Sequence, residues 1–125
     1  MNFSSGLEER VANQLNDLNV SFNYETETII YTKPEEKGRY VPDFILPNGI
    51  YIETKGQFLS ADRKKHKLIR QQFGDKYDIR FVFSNPNARI GNRSTTTYAD
   101  WCNLFGFKWA SLEIPKEWIF ENDKV

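Results

Sequence analysis

The chain has 125 residues, 39% of them hydrophobic, with 17 Lys and Arg against 17 Asp and Glu and a single cysteine. A length of this order predicts one domain, residues 1–125, able to bury a core unaided, and one cysteine excludes an intramolecular disulfide. No apolar run can span a bilayer and the N-terminus lacks the apolar stretch of a secretory signal, so neither a membrane helix nor export is expected.

The first predicted element is a helix over about residues 5–18, with Leu7, Val11, Leu15 and Leu18 at helical spacing. Ser5 and Glu8 fit an S-x-x-E capping box, in which Glu8 would bond back to the Ser5 N–H. β-branched and aromatic residues are frequent from Val20 to Tyr31, which predicts a strand. Lys33 to Arg39 is charged and contains Pro34 and Gly38, so it reads as a connector rather than a regular element.

A hairpin follows, with strands over about 40–46 and 50–56 around Pro47-Asn48-Gly49. Alternate strand residues share a face, so Glu53 and Lys55 point one way and Thr54 the other. Asp43 joins them in one register only. A three-residue loop pairs Leu46 with Ile50 and therefore Asp43 with Glu53, whereas a two-residue Asn48-Gly49 loop slips the register and sends Asp43 to the opposite face. Gly49 can supply the positive φ that the three-residue loop needs.

Two carboxylates beside a lysine suit the binding of a hard divalent cation and attack on a phosphodiester. The acids offer oxygen ligands to Mg²⁺, and the lysine can position or deprotonate water or neutralise charge on the phosphorane. P-D followed by E-x-K is weak alone, since a turn-shaping Asp and a solvated strand face produce it too. Its setting adds weight. Ile45, Leu46, Ile50 and Ile52 oblige these strands to pack on a core, where a charged cluster costs desolvation energy that a metal or substrate offsets. Glu8 is a cap residue on sequence alone and a further ligand if the helix delivers it to the hairpin.

Residues 61–73 form the next predicted helix, with Leu68, Ile69 and Phe73 on its apolar side. Its polar side carries Arg63, Lys64, Lys65, His66, Lys67 and Arg70. Zero net charge hides segregation. Residues 1–36 hold two bases and seven acids, while residues 63–93 hold nine bases and two acids, which suits one face for phosphates. A solvated helix face is the ordinary explanation of such a run, but its place just after the acidic strand favours phosphate contact. His66 is the only histidine and reads as a surface or phosphate-contacting residue, because no second His or Cys is spaced to share a metal. Lys76, Arg80, Arg89 and Arg93 could extend the basic face.

Ile79 to Phe83 reads as a mostly buried strand, and a helix from Thr96 or Thr97 ends at Gly106 by the C-terminal glycine rule. Cys102, Trp109, Ile114 and Trp118 read as core. The resulting fold class is α/β, a mixed central β-sheet flanked by helices.

Ser5-Gly6-Leu7-Glu8, Pro42-Asp43-Phe44, Leu46-Pro47-Asn48-Gly49-Ile50, Glu53-Thr54-Lys55-Gly56 and Asp62-Arg63-Lys64-Lys65-His66 stand in the order found in endonuclease I of T-seven-like bacteriophages. Arg80-Phe81-Val82-Phe83-Ser84 and Ile114-Pro115 with Trp118-Ile119 extend the likeness, so the chain resembles that family from about Ser5 to Ile119. The resemblance implies a PD-(D/E)-x-K, restriction-endonuclease-like fold and a structure-selective endonuclease that resolves Holliday junctions and other branched DNA. It implies Glu8, Asp43, Glu53 and Lys55 as the catalytic set. Asp43 and Glu53 would be the main metal ligands, with the Thr54 backbone carbonyl and Glu8 in support.

It further implies one or two Mg²⁺ ions per site, with Mn²⁺ as a substitute, and no small-molecule cofactor. Its partners would be branched DNA and a second copy, in an intertwined homodimer whose connector 33–39 carries the first helix into the partner. Action would lie in the cytoplasm of an infected bacterium. The other readings are a restriction- or repair-type nuclease on linear duplex and a branched-DNA binding module without turnover. The family has a longer basic N-terminal arm and a lysine-rich C-terminal tail. This chain begins near the first helix and ends in Glu121-Asn122-Asp123-Lys124-Val125, so weaker non-specific DNA affinity is expected.

Overall fold

The computed structural model describes residues 3, 5–33 and 37–122. Helix α1 (Gly6–Asp17) starts at Ser5, whose hydroxyl accepts the Glu8 N–H at 3.1 Å. Val11, Ala12 and Leu15 are fully buried on one stripe of it, and burial of a Val or Leu side chain contributes roughly 1.5–3 kcal/mol.

The segment read as one strand is broken in two, β1 (Asn23–Tyr24) and β2 (Ile29–Thr32). The break falls at Glu25, which sits at φ 51, a left-handed backbone that no strand tolerates. β2 pairs with β3 (Lys37–Tyr40) as a separate antiparallel ribbon. The expectation that 33–39 would lack regular structure therefore fails for 37–39, while 34–36 lie outside the described residues. Gly38 is what permits the strand. It lies opposite Tyr31, and a Cβ there would stand 2.3 Å from the Tyr31 Cζ, so the buried ring uses the space a side chain would fill.

β4 (Phe44–Ile45) and β5 (Tyr51–Lys55) form the predicted hairpin. Phe44 pairs with Ile52 and Ile45 with Tyr51, and Leu46 donates its N–H to Ile50 at 2.9 Å, so the three-residue loop and its register are as expected. Gly49 adopts φ 88. Asn48, the middle residue of that loop, is buried and donates to the Trp118 carbonyl at 2.8 Å, which ties the turn to the C-terminal segment.

Helix α2 (Ser60–Phe73) crosses from β5 to the parallel strand β6 (Ile79–Phe83), and helix α3 (Tyr98–Phe105) crosses to parallel β7 (Trp109–Ser111). α3 begins in a reciprocal Thr97–Asp100 capping box and ends at Gly106 in the left-handed conformation, as its sequence predicts. A short α4 (Lys116–Ile119) closes the described chain. The five-stranded sheet has the order β1-β4-β5-β6-β7, antiparallel on one side and parallel on the other.

Alternation along β6 divides the core. Val82 faces α1 with Phe44, Ile52, Ile114 and Trp118, while Phe81 and Phe83 face Phe58, Ile69, Trp101 and Phe107 on the other side. Cys102 is buried in the second layer, and Ile114 and Trp118 belong to the first, as read from sequence. Arg80 does not extend the basic face. Its side chain is fully buried, ion-paired to Asp78 at 2.8 Å and Glu121 at 2.6 Å.

Candidate active site

The acids meet where the β4–β5 hairpin ends, and both sheet faces contribute to them. The β4–β5 ladder stops at the Phe44–Ile52 pair, and Asp43 lies just before it, beside Thr54 of β5. Asp43 Oδ2 accepts from the Thr54 N–H at 2.8 Å and the Thr54 hydroxyl at 2.9 Å, which locks the Asp43 carboxylate against β5.

On the α2 side, Glu53 Oε1 accepts from the Tyr40 hydroxyl at 2.9 Å, and Glu53 Oε2 lies 3.4 Å from Lys55 Nζ. Lys55 Nζ also pairs with Asp62 Oδ1 at 3.2 Å, and Asp62 Oδ2 accepts the Leu59 N–H at 3.1 Å at the start of α2. On the α1 side, the Tyr24 hydroxyl donates to Glu8 Oε2. Glu8, Glu25 and Asp43 can bring one oxygen each within 4.8 Å of one another. Thus α1, the β1 end and the hairpin converge within one chain, with Glu8 delivered as the helix reading required.

Burial opposes the charge of two of these carboxylates, Asp43 and Glu53. Asp43 is pushed up to about 6 by burial, opposed by the Thr54 backbone hydrogen bond and reinforced by the charge of Glu8. Glu53 is pushed up to about 8 by burial and by Asp43, with Lys55 pulling the other way. Burial pulls Lys55 down, but Glu53 and Asp62 outweigh it and hold the ammonium above its usual value. A protonated lysine donates and neutralises; it does not remove a proton from water. Carboxylate oxygens are hard donors suited to a hard divalent cation, and buried Glu8 and Asp43 with exposed Glu25 bring one each close enough to share one.

Glu25, Tyr40, Tyr24 and Asp62 escaped the sequence reading. Glu25 and Tyr24 lie inside the strand pattern with no motif to mark them, and the Tyr40 hydroxyl reaches Glu53 only after the ribbon folds. Asp62 had a usable signal, an acid three residues past Leu59 in the first turn of a helix.

The basic run divides. Lys64 is exposed and Lys65 and Lys67 are half-buried; with Ser60, Leu68 and Trp101, Lys64 and Lys67 help line a groove of about 390 Å³ between α2 and α3. Arg63 and Arg70 are each committed to a backbone carbonyl, Phe58 and Gly106 respectively, both at 2.5 Å. His66 corrects the expectation outright. It is 1% exposed, packed edge-on to Tyr40 and Phe81 at 4.8 Å each, and cannot reach a phosphate. Its i+3 neighbour Ile69 shows why: His66 lies on the apolar stripe, and burial with nearby Lys55 and Lys65 lowers it to about 3, so it is neutral.

An α/β sheet that brings buried carboxylates and a lysine together at the end of its hairpin defines the candidate site, and the relatives of the chain make it a DNA endonuclease. It belongs to the phage endonuclease I family, whose sequence profile matches residues 1–125. It is 46% identical over 122 residues to endonuclease I of Escherichia phage T7, covering 98% of this chain and 81% of that protein. Endodeoxyribonuclease 1 of Enterobacteria phage T3 is also 46% identical over 122 residues, covering 98% of this chain and 80% of the relative. Among the described residues no helix is long and apolar enough to cross a membrane.

Proposed function

We propose that this protein is a structure-selective, metal-dependent DNA endonuclease with a PD-(D/E)-x-K fold that resolves four-way junctions and other branched DNA. The observation that carries the reading is the convergence of Glu8, Glu25 and Asp43 beside a Glu53–Lys55 pair in a chain of the endonuclease I family. Asp43, Glu53, Glu8, Glu25 and the Thr54 carbonyl are the oxygens available to Mg²⁺ or Mn²⁺. A bound divalent cation supplies charge neutralisation and Lewis-acid activation of the phosphodiester.

The chain's own groups do the rest. Protonated Lys55, steadied by Asp62, donates to a non-bridging phosphate oxygen or to the attacking water. Tyr40 and Tyr24 hold Glu53 and Glu8 in place. Water would form the new P–O bond in line and release a proton to solvent, the 3′-oxygen would depart with the old bond pair and take up a proton from solvent, and the product would carry a 5′-phosphate. The lysines of α2 hold the phosphate backbone. Symmetric incision of a four-way junction calls for a two-fold dimer, and exchange of α1 through the connector 33–39 would build the same site from two chains. Such an enzyme would work in the cytoplasm of an infected bacterium.

Cleavage of a four-way junction, compared with its linear duplex arms, in Mg²⁺ and in EDTA, tests this reading. The junction should be cut in Mg²⁺ only and the arms spared. Asp43→Asn, Glu53→Gln and Lys55→Ala should each abolish cutting while junction binding persists. Wild-type turnover by Asp43→Asn, or equal cutting of the arms, would refute the site or the substrate respectively.

A further inference from the structure

Residues 84–97, between β6 and α3, form a compact hairpin that the site described above does not use. β5 and β6 run parallel with Lys55 opposite Phe83, and the Ser84 N–H donates to the Lys55 carbonyl at 3.1 Å. The segment therefore leaves the sheet beside Lys55. α2 follows β5 from the same end of the parallel pair, so two chain segments flank the lysine.

The composition of this hairpin is one-sided. It contains no acid, two arginines, Arg89 and Arg93, and the amide side chains of Asn85, Asn87 and Asn92. Both arginines are exposed. Its shape is set by backbone hydrogen bonds, Ile90 to Thr96 at 2.9 Å, Ser94 to Gly91 at 3.1 Å and Tyr98 to Ala88 at 2.9 Å, with an antiparallel bridge between Arg89 and Thr97. Its root is held by buried Pro86 and by Tyr98, whose ring lies 5.7 Å from Phe58 and 5.4 Å from Phe83.

An arginine on a pre-ordered loop loses less freedom on binding than one on a floppy loop, so more of its attraction to phosphate survives as affinity. The need for such a contact is electrostatic. Glu8, Glu25 and Asp43 gather negative charge where the DNA must approach, and the cations of α2 lie on one chain segment flanking Lys55.

We propose that the 84–97 hairpin is a second DNA-contact element, in which Arg89 and Arg93 grip the sugar-phosphate backbone next to the phosphate that Lys55 engages. The contact rests on the endonuclease reading and deepens it. It reads no bases, so it acts on duplex and junction alike.

The test uses the full chain carrying Asp43→Asn, which binds without cutting, and measures Kd for a four-way junction and for linear duplex across a salt series. Adding Arg89→Ala and Arg93→Ala should weaken binding to both DNAs several-fold and lower the log Kd against log salt slope by up to about two. Arg89→Lys with Arg93→Lys should keep the parental slope. A double alanine variant with parental affinity and slope overturns the proposal. So does a loss that lysine fails to restore, which would point to a deformed hairpin. A parent that binds neither DNA overturns the endonuclease reading together with the contact, whereas a binding parent with an unchanged slope overturns the contact alone.

Discussion

Glu53→Gln should make the protein more stable while abolishing its proposed activity. The carboxyl rises from 4.5 to about 8 on folding, because burial and Asp43 outweigh Lys55 and Tyr40. The destabilisation is absent below about pH 4.5, where folded and unfolded chains are both protonated, and grows as pH rises toward 8. At pH 7 a shift of that size corresponds to on the order of 3 kcal/mol. Asp43 titrates with it, so about 2 kcal/mol is the fairer figure for Glu53 alone. Glutamine keeps an acceptor for the Tyr40 hydroxyl and leaves Lys55 its Asp62 partner. For a domain of this size the gain raises Tm by roughly 8 °C. Urea unfolding in EDTA between pH 4 and 8 gives the whole curve. The variant should match wild type at pH 4 and pull ahead steadily above pH 5. An advantage that shrinks as pH rises, or none at pH 7, would refute the electrostatic reasoning. Millimolar Mg²⁺ should narrow the gap, since it stabilises only the form that binds it.

The remaining predictions test the basic helix, the buried histidine and the assembly. Alanine at Lys64, Lys65 and Lys67 together should flatten the salt dependence of junction binding by up to about one unit per lost phosphate contact, and an unchanged slope would leave these lysines merely solvated. His66→Phe should leave junction affinity unaltered and change stability at pH 7 by no more than about 1 kcal/mol, because the ring sits among aromatics and its Nδ1 has no hydrogen-bond partner among the described residues. The variant should also lose less stability than wild type on acidification below the ordinary histidine value near 6.5, since wild-type His66 stays neutral down to about 3 only while folded. Loss of DNA affinity in His66→Phe would reinstate the phosphate role. Finally, a purified heterodimer of Glu8→Ala and Lys55→Ala subunits should nick one junction strand if α1 is exchanged, since one site then collects both lesions. No nicking above the two homodimers would exclude exchange.

Much of the site was legible because its signals are local. The three-residue loop and the Phe44–Ile52 register are one of the two arrangements the sequence allowed, and Gly49 at positive φ is the local signal for it. Local signals also set the α3 ends, where Thr97, Asp100 and Gly106 act on their own backbone neighbours. The family motifs carried Glu8 and Lys55 for the same reason, being short and ordered along the chain. Misreadings occurred where a distant contact outvoted a local preference. Pro34 and Gly38 argued against structure, yet Gly38 belongs to a strand because the Tyr31 ring lies over it. The single strand expected from Val20 to Tyr31 breaks at Glu25, whose backbone turns so that its carboxylate meets Glu8 and Asp43.

Charge shows the same division. A run of five basic residues is visible in the sequence, but helical periodicity and the packing of α2 decide which of them meet solvent, and they turn His66 inward while binding Arg63 and Arg70 to carbonyl groups. Arg80 is basic in the sequence and silent at the surface, because Asp78 and Glu121 neutralise it inside the protein. What the sequence determined by itself was the chemistry on offer, two acids and a lysine on one hairpin, since covalent spacing and strand alternation act over a few residues. Only the tertiary structure could decide that Glu25 joins Glu8 and Asp43, that tyrosines hold two of the carboxylates, and that burial opposes the charge of Asp43 and Glu53. Those outcomes depend on which surfaces lose water together, and that is a property of the packed molecule rather than of any segment.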